Sequence, residues 1–169
     1  MDQELVERAR TLLDLCRTKG LTIAAAESCT GGLLAATLTE IAGSSDVFER
    51  GFVTYSNEAK QAMVGVTSAT LASHGAVSRE TAEAMASGAL AHAPVDLAVS
   101  ITGIAGPGGA VPGKPVGLVH FAAASRAGRL IARERNYGDI GRKQVQHASI
   151  IETLAILHDL ATTKAASSG

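Results

Sequence analysis

The apolar positions of this chain change period several times, and each change marks an element. Leu5, Ala9, Leu12, Leu13 and Cys16 fall at helical spacing, which predicts an amphipathic helix over residues 4–17, ended by Gly20. The run Leu21-Thr22-Ile23-Ala24-Ala25-Ala26 is short and apolar, the pattern of a buried strand. After the turn Glu27-Ser28-Cys29-Thr30-Gly31-Gly32 the pattern over 33–41 is helical, and Gly43-Ser44-Ser45 stops it. A second strand is predicted over 50–56. Short helices follow over 57–65, with Asn57 as its N-cap, and over 67–73. Ser78 caps a third, running to Ala91, with Glu80 and Glu83 near the positive end of its dipole.

Residues 96–102 read as a strand, and 103–113 as a loop with five glycines and two prolines. Two more strands, 116–124 and 129–137, flank the turn Arg126-Ala127-Gly128. The first is apolar throughout, the mark of a central strand. The second alternates loosely, as an edge strand does. Val145, Ile150, Ile151, Leu154, Ile156, Leu157 and Leu160 predict a long last helix over 142–161. Strands alternating with helices imply an α/β domain: a three-layer α/β/α sandwich with a mixed β-sheet over residues 1–162. Residues 163–169 are expected to be a flexible tail.

Composition narrows the function classes. The 169 residues suit one domain, and 46% apolar content without a long apolar run supplies a core but no membrane span. Fifteen basic residues against 16 acidic ones give a net charge of −1, and aromatics are 3% with no Trp. A nucleic-acid binder needs a basic face and stacking aromatics, so that class is disfavoured. Cys16 and Cys29 form neither a CxxC nor a Cys/His cluster, so no metal site is expected. The acidic, mixed N-terminus is neither signal nor transit peptide, which makes the cytoplasm the expected compartment. A domain that handles a small molecule remains.

The turn after the first strand carries the chemistry. Backbone N–H groups and a helix dipole point outward there, and Gly31 and Gly32 admit a ligand close to the backbone. Ser28 is a candidate nucleophile, with amides at the start of the helix as an oxyanion hole. Spacing alone also fits Ser28 or Thr30 as a plain N-cap, the commoner role of these residues. The histidines at 74, 92, 120, 147 and 158 are scattered and form no triad pattern. Lys60 can serve as the base if burial lowers its pKa, although most lysines are solvated. The glycine-dense loop after Thr102-Gly103 lies where open sheets gather ligands, or is a plain connector. Cys29 is an alternative nucleophile, and a non-catalytic nucleotide sensor or interaction module is a second class.

The segments Ala26-Glu27-Ser28-Cys29-Thr30-Gly31-Gly32, Ile41-Ala42-Gly43-Ser44-Ser45, Phe48-Glu49-Arg50-Gly51-Phe52-Val53-Thr54-Tyr55-Ser56-Asn57-Glu58-Ala59-Lys60, His74-Gly75-Ala76-Val77-Ser78, Ser100-Ile101-Thr102-Gly103-Ile104-Ala105-Gly106-Pro107-Gly108 and Lys114-Pro115-Val116-Gly117 resemble the CinA C-terminal domain family, in the family's order. The resemblance implies deamidation of nicotinamide mononucleotide to nicotinate mononucleotide and ammonia, in pyridine nucleotide recycling, without a cofactor. It implies a Ser28/Lys60 dyad assisted by Tyr55, with Glu27, Thr30, Thr102 and Gly103 as further site residues. It also implies a homodimer or higher oligomer. Many relatives carry a larger pyrophosphatase domain in front, and this length suggests the stand-alone form. The family's Gly-Asp-Arg triplet reads here Gly138-Asp139-Ile140-Gly141-Arg142. A two-residue insertion leaves Arg142 in the arginine's place, as the cation for the phosphate, and puts Gln146 where a second arginine is usual.

Overall fold

A computed structural model describes residues 1–163. Helix α1 (Gln3–Lys19) leads into β1 (Ile23–Glu27), α2 (Leu33–Thr39) and, after a short 3-10 turn, β2 (Phe48–Val53). Then come α3 (Asn57–Val64), α4 (Ser68–His74), α5 (Arg79–Ala91), β3 (Leu97–Gly103), β4 (Leu118–Ser125), β5 (Leu130–Asn136) and α6 (Arg142–Thr162). The part of the expected tail beyond Thr163 lies outside the described residues. Among those residues no helix is long and apolar enough to cross a membrane.

The sheet order is β2-β1-β3-β4-β5. β1 runs parallel to both neighbours, while β3–β4 and β4–β5 are antiparallel, so the sheet is mixed as expected. β5 is an edge strand; β3 holds the centre and β4 lies one place out from it. The largest apolar cluster joins α1, α2 and α6 to one face through Leu12, Leu13, Leu34, Leu38, Ile150 and Leu157. α3 and α5 cover the other face. Here Ala82 and Ala86 of α5 pack on Ala122 and Ala124 of β4, small against small, which lets helix and sheet approach closely.

Several boundaries move from their expected places. β2 begins at Phe48 and stops at Val53, so Thr54, Tyr55 and Ser56 form a connection rather than strand. The N-cap of α3 is Ser56, whose hydroxyl accepts from the Ala59 amide at 3.0 Å, and not Asn57. Ser56 has extended backbone angles, as a cap requires, whereas Asn57 is already helical.

Candidate active site

β1, β2 and β3 are parallel, and the chain leaves β1 for β2 on one side and β3 on the other. The order reverses there, and a crevice opens beyond the carboxyl ends of these strands. β1 delivers Ser28 to the crevice, the β2–α3 connection delivers Tyr55, α3 delivers Lys60, and β3 delivers Thr102 and Gly103. A cavity of about 280 Å³ lies there, lined also by Cys29, Asn57, Ala76, Val77, the 104–109 segment and Arg142. No histidine lines it among the described residues.

The closest chemical pair is Ser28 and Lys60. Lys60 sits in the first turns of α3, and helical side chains lean toward the helix N-terminus, here toward the ends of β1 and β2. Its Nζ donates to Ser28 Oγ at 3.1 Å and to the Thr54 carbonyl at 2.9 Å. Lys60 is only 1% exposed, and no carboxylate pairs with it among the described residues. Burial without a counter-charge penalises the ammonium, so the Lys60 pKa is lowered from the ordinary lysine value. The serine is set by the sheet: its amide donates to the Ile101 carbonyl at 2.9 Å, extending the β1–β3 ladder by one residue.

Glu27 has a role the sequence did not show. Its carboxylate turns to the opposite face of the sheet from Lys60 and accepts from the Thr30 hydroxyl (2.7 Å), the Leu34 amide (2.9 Å) and the Ala35 amide (3.1 Å). The α2 N-terminus is therefore capped from seven residues upstream. Neither Ser28 nor Thr30 caps it, and Gly32, at the N-cap position, makes no side-chain cap bond. Two expectations change. The Leu33, Leu34 and Ala35 amides at the start of α2 already have acceptors and are not free for an oxyanion. Glu27, Thr30, Gly31 and Gly32, expected against substrate, do not line the cavity; Glu27 and Thr30 instead build the turn that presents Ser28. Glu27→Ala leaves two amides and a hydroxyl without this acceptor and should cost about 2–3 kcal/mol of folding stability, read as a lower urea midpoint.

The remaining expected residues do meet at the cavity. Thr102 is buried and donates through Oγ1 to the Ala76 carbonyl at 2.7 Å, fixing one wall. Gly103 must be glycine, because a Cβ there would lie 2.9 Å from the Leu118 carbonyl oxygen and 2.8 Å from Val119. Arg142 donates to the Gly106 carbonyl (2.8 Å) and to the Tyr55 hydroxyl (2.7 Å). Tyr55 is 60% exposed and engages Arg142 rather than Lys60. Gln146 donates to the Cys29 carbonyl at 3.0 Å, bracing the Ser28 turn from α6. The amides of Ala105, Gly106, Gly108 and Gly109 hydrogen-bond to no acceptor among the described residues. The Cys29 thiol is 6% exposed, and burial pushes its pKa up to about 12.

An open mixed α/β sheet with a buried Ser–Lys pair at its switch point, and a cavity walled by glycine-rich backbone, defines the class. Residues 6–161 match the CinA C-terminal domain, and the chain belongs to that family. It is 49% identical over 156 residues to a protein of Escherichia coli K12 named nicotinamide-nucleotide amidohydrolase PncC, covering 90% of this chain and 94% of that one. A CinA-like protein of Geobacter sulfurreducens is 54% identical over 125 residues, which are 74% of this chain but 30% of that longer relative. Among solved structures, a competence/damage inducible protein from Agrobacterium tumefaciens superposes with a TM-score of 0.93 at 50% identity, covering 95% of this chain and 97% of that one.

Proposed function

We propose that residues 1–162 act as one amidohydrolase domain that converts nicotinamide mononucleotide and water to nicotinate mononucleotide and ammonia. The observation that carries this reading is the 3.1 Å contact between Ser28 Oγ and an uncompensated, buried Lys60. The relative named for the amidohydrolase activity, similar along nearly its whole length, supports the substrate.

Neutral Lys60 takes the Ser28 proton as Oγ attacks the carboxamide carbon, while the Thr54 carbonyl holds a second Lys60 hydrogen and keeps the amine aimed. The pyridinium withdraws electrons from the carbonyl and eases the attack. The Cys29 amide, which bonds to no other residue among those described, is the donor beside Ser28 for the oxyanion. Protonated Lys60 then hands its proton to the leaving ammonia. Water, deprotonated by the same amine, hydrolyses the acyl-serine. Arg142 and the unpaired amides of the 105–109 segment receive the phosphate, so a chain of net charge −1 needs only this local positive field. Tyr55 lines the same cavity and its hydroxyl accepts from Arg142, which holds the guanidinium in place for the phosphate. On this reading the protein works in the cytoplasm as a homodimer or higher oligomer, with no nucleic-acid or membrane partner.

The test is ammonia release from nicotinamide mononucleotide by purified protein and by Cys29→Ala. Both should release it at comparable kcat, because a thiol held near pKa 12 supplies almost no thiolate at neutral pH. Binding without ammonia at any pH would leave a nucleotide sensor. A loss confined to Cys29→Ala would move the nucleophile to the thiol.

A further inference from the structure

The 104–114 connection lines the cavity, yet its glycine-rich backbone is costly to order. The Ile104 amide donates to the Leu118 carbonyl and the Gly117 amide to the Ile104 carbonyl, closing its base, and a two-bond bridge between Val111 and Lys114 closes its tip. Among the described residues, two side chains hydrogen-bond it to the rest of the molecule. Arg142 holds the Gly106 carbonyl from α6, and Lys114 Nζ donates to the His74 carbonyl at 2.6 Å.

The Lys114 contact is specific in three ways. His74 ends α4, where carbonyls lack helical partners and the dipole favours a cation. Gly75 makes room for the ammonium, since a Cβ there would stand 2.8 Å from Nζ. The frame that Lys114 grips is itself fixed. The Gly75 carbonyl accepts from Ser78 Oγ (3.0 Å) and Thr81 Oγ1 (2.6 Å), and the Ala76 carbonyl accepts from Thr102 Oγ1 (2.7 Å). Lys114 thus joins the glycine-rich wall of the cavity, whose start at Ile104 and Ala105 is buried, to the wall at Ala76 and Val77.

We propose that Lys114 is a positioning residue for the substrate's anionic end: its bond to the α4 terminus holds the 104–114 connection so that the free amides of Ala105, Gly106, Gly108 and Gly109 form one binding surface. This rests on the mononucleotide reading above. It predicts a binding role separable from the bond-breaking step, because Lys114 touches neither Ser28 nor Lys60.

The experiment compares wild type, Lys114→Met and Lys114→Arg by hydrogen–deuterium exchange without ligand and by ammonia release from nicotinamide mononucleotide. Lys114→Met should exchange about tenfold faster at the Val111 and residue-114 amides, which carry the bonds of the tip, with β1, β3 and α6 unchanged, and should raise KM about tenfold at nearly constant kcat. Lys114→Arg, which keeps charge and donor, should restore both. Wild-type exchange in Lys114→Met would overturn the proposal, as would faster exchange with an unchanged KM, or a fall in kcat alone. Should Lys114→Met fail to fold, Lys114→Gln takes its place with the same expectations. A wild type that releases no ammonia would sink the deamidase reading instead, while the exchange comparison, which needs no substrate, still judges the fastening.

Discussion

Ser28→Ala should lower kcat for ammonia release from nicotinamide mononucleotide by about 10⁴-fold or more, with little change in melting temperature. The asymmetry follows from where the bonds of Ser28 lie. Its fold-building contact is the backbone bond to Ile101, which alanine keeps. Its Oγ accepts from Lys60 alone among the described residues, and Lys60 retains the Thr54 carbonyl when the hydroxyl is gone. The variant loses the proposed nucleophile and almost nothing else. Nucleotide affinity by calorimetry should stay near wild type, since the Arg142 and glycine-rich side of the cavity is untouched. Near-normal ammonia release from Ser28→Ala would remove the serine from the mechanism.

Lys60→Met is the second large effect. Methionine matches the volume of the buried stem but cannot carry a proton, so kcat should fall about 10²–10⁴-fold, the range for a lost general base. Ser28 and Lys60 act as one unit, so the double variant should be no slower than Ser28→Ala. The pH profile gives the sharper signature. Lys60 works as a base only when neutral, so activity should rise with pH as it deprotonates. Because burial lowers its pKa, that rise should come below the ordinary lysine range. Stability follows the same sign. The folded state binds this proton less tightly than the unfolded chain does, so stability should increase as pH climbs from the folded pKa toward the ordinary one. Lys60→Met should lose both rises, in rate and in urea midpoint. An acid limb that survives in Lys60→Met would assign the titration to another group.

Much of this was legible in the chain because it is written locally. The helical stripe at Leu5, Ala9, Leu12 and Leu13 and the apolar runs of β1, β3 and β4 follow from spacing, and so does the alternation that gives the mixed sheet. The Ser28 turn was visible as a strand-to-helix junction rich in glycine. β2 was harder to bound, since its residues are mostly half or fully exposed and show no alternation. Long-range pairing is not written locally. Ser28 and Lys60 were candidates by residue type and by the family resemblance, and they meet across 32 residues because β1 and β2 are parallel neighbours, whereas the contact of Arg142 with Tyr55 across 87 was hidden. The capping by Glu27 was hidden for another reason. Cap signals are sought within three or four residues of the helix start, and its reach to Ala35 spans eight. A carboxylate next to a candidate nucleophile reads as chemistry, and here it accepts from the Thr30 hydroxyl and the Leu34 and Ala35 amides.

The opposed aim of Glu27 and Ser28 makes β1 a charge separator. Consecutive residues at a strand's end face opposite sides of a sheet. The negative group is thereby kept away from Lys60, although only one peptide unit parts it from the serine. A single-residue insertion or deletion within β1 would exchange the two faces. The carboxylate would then meet the lysine, hold it protonated as an ion pair, and leave the hydroxyl stranded under α2. The register of one five-residue strand decides whether Lys60 faces a hydroxyl or a carboxylate.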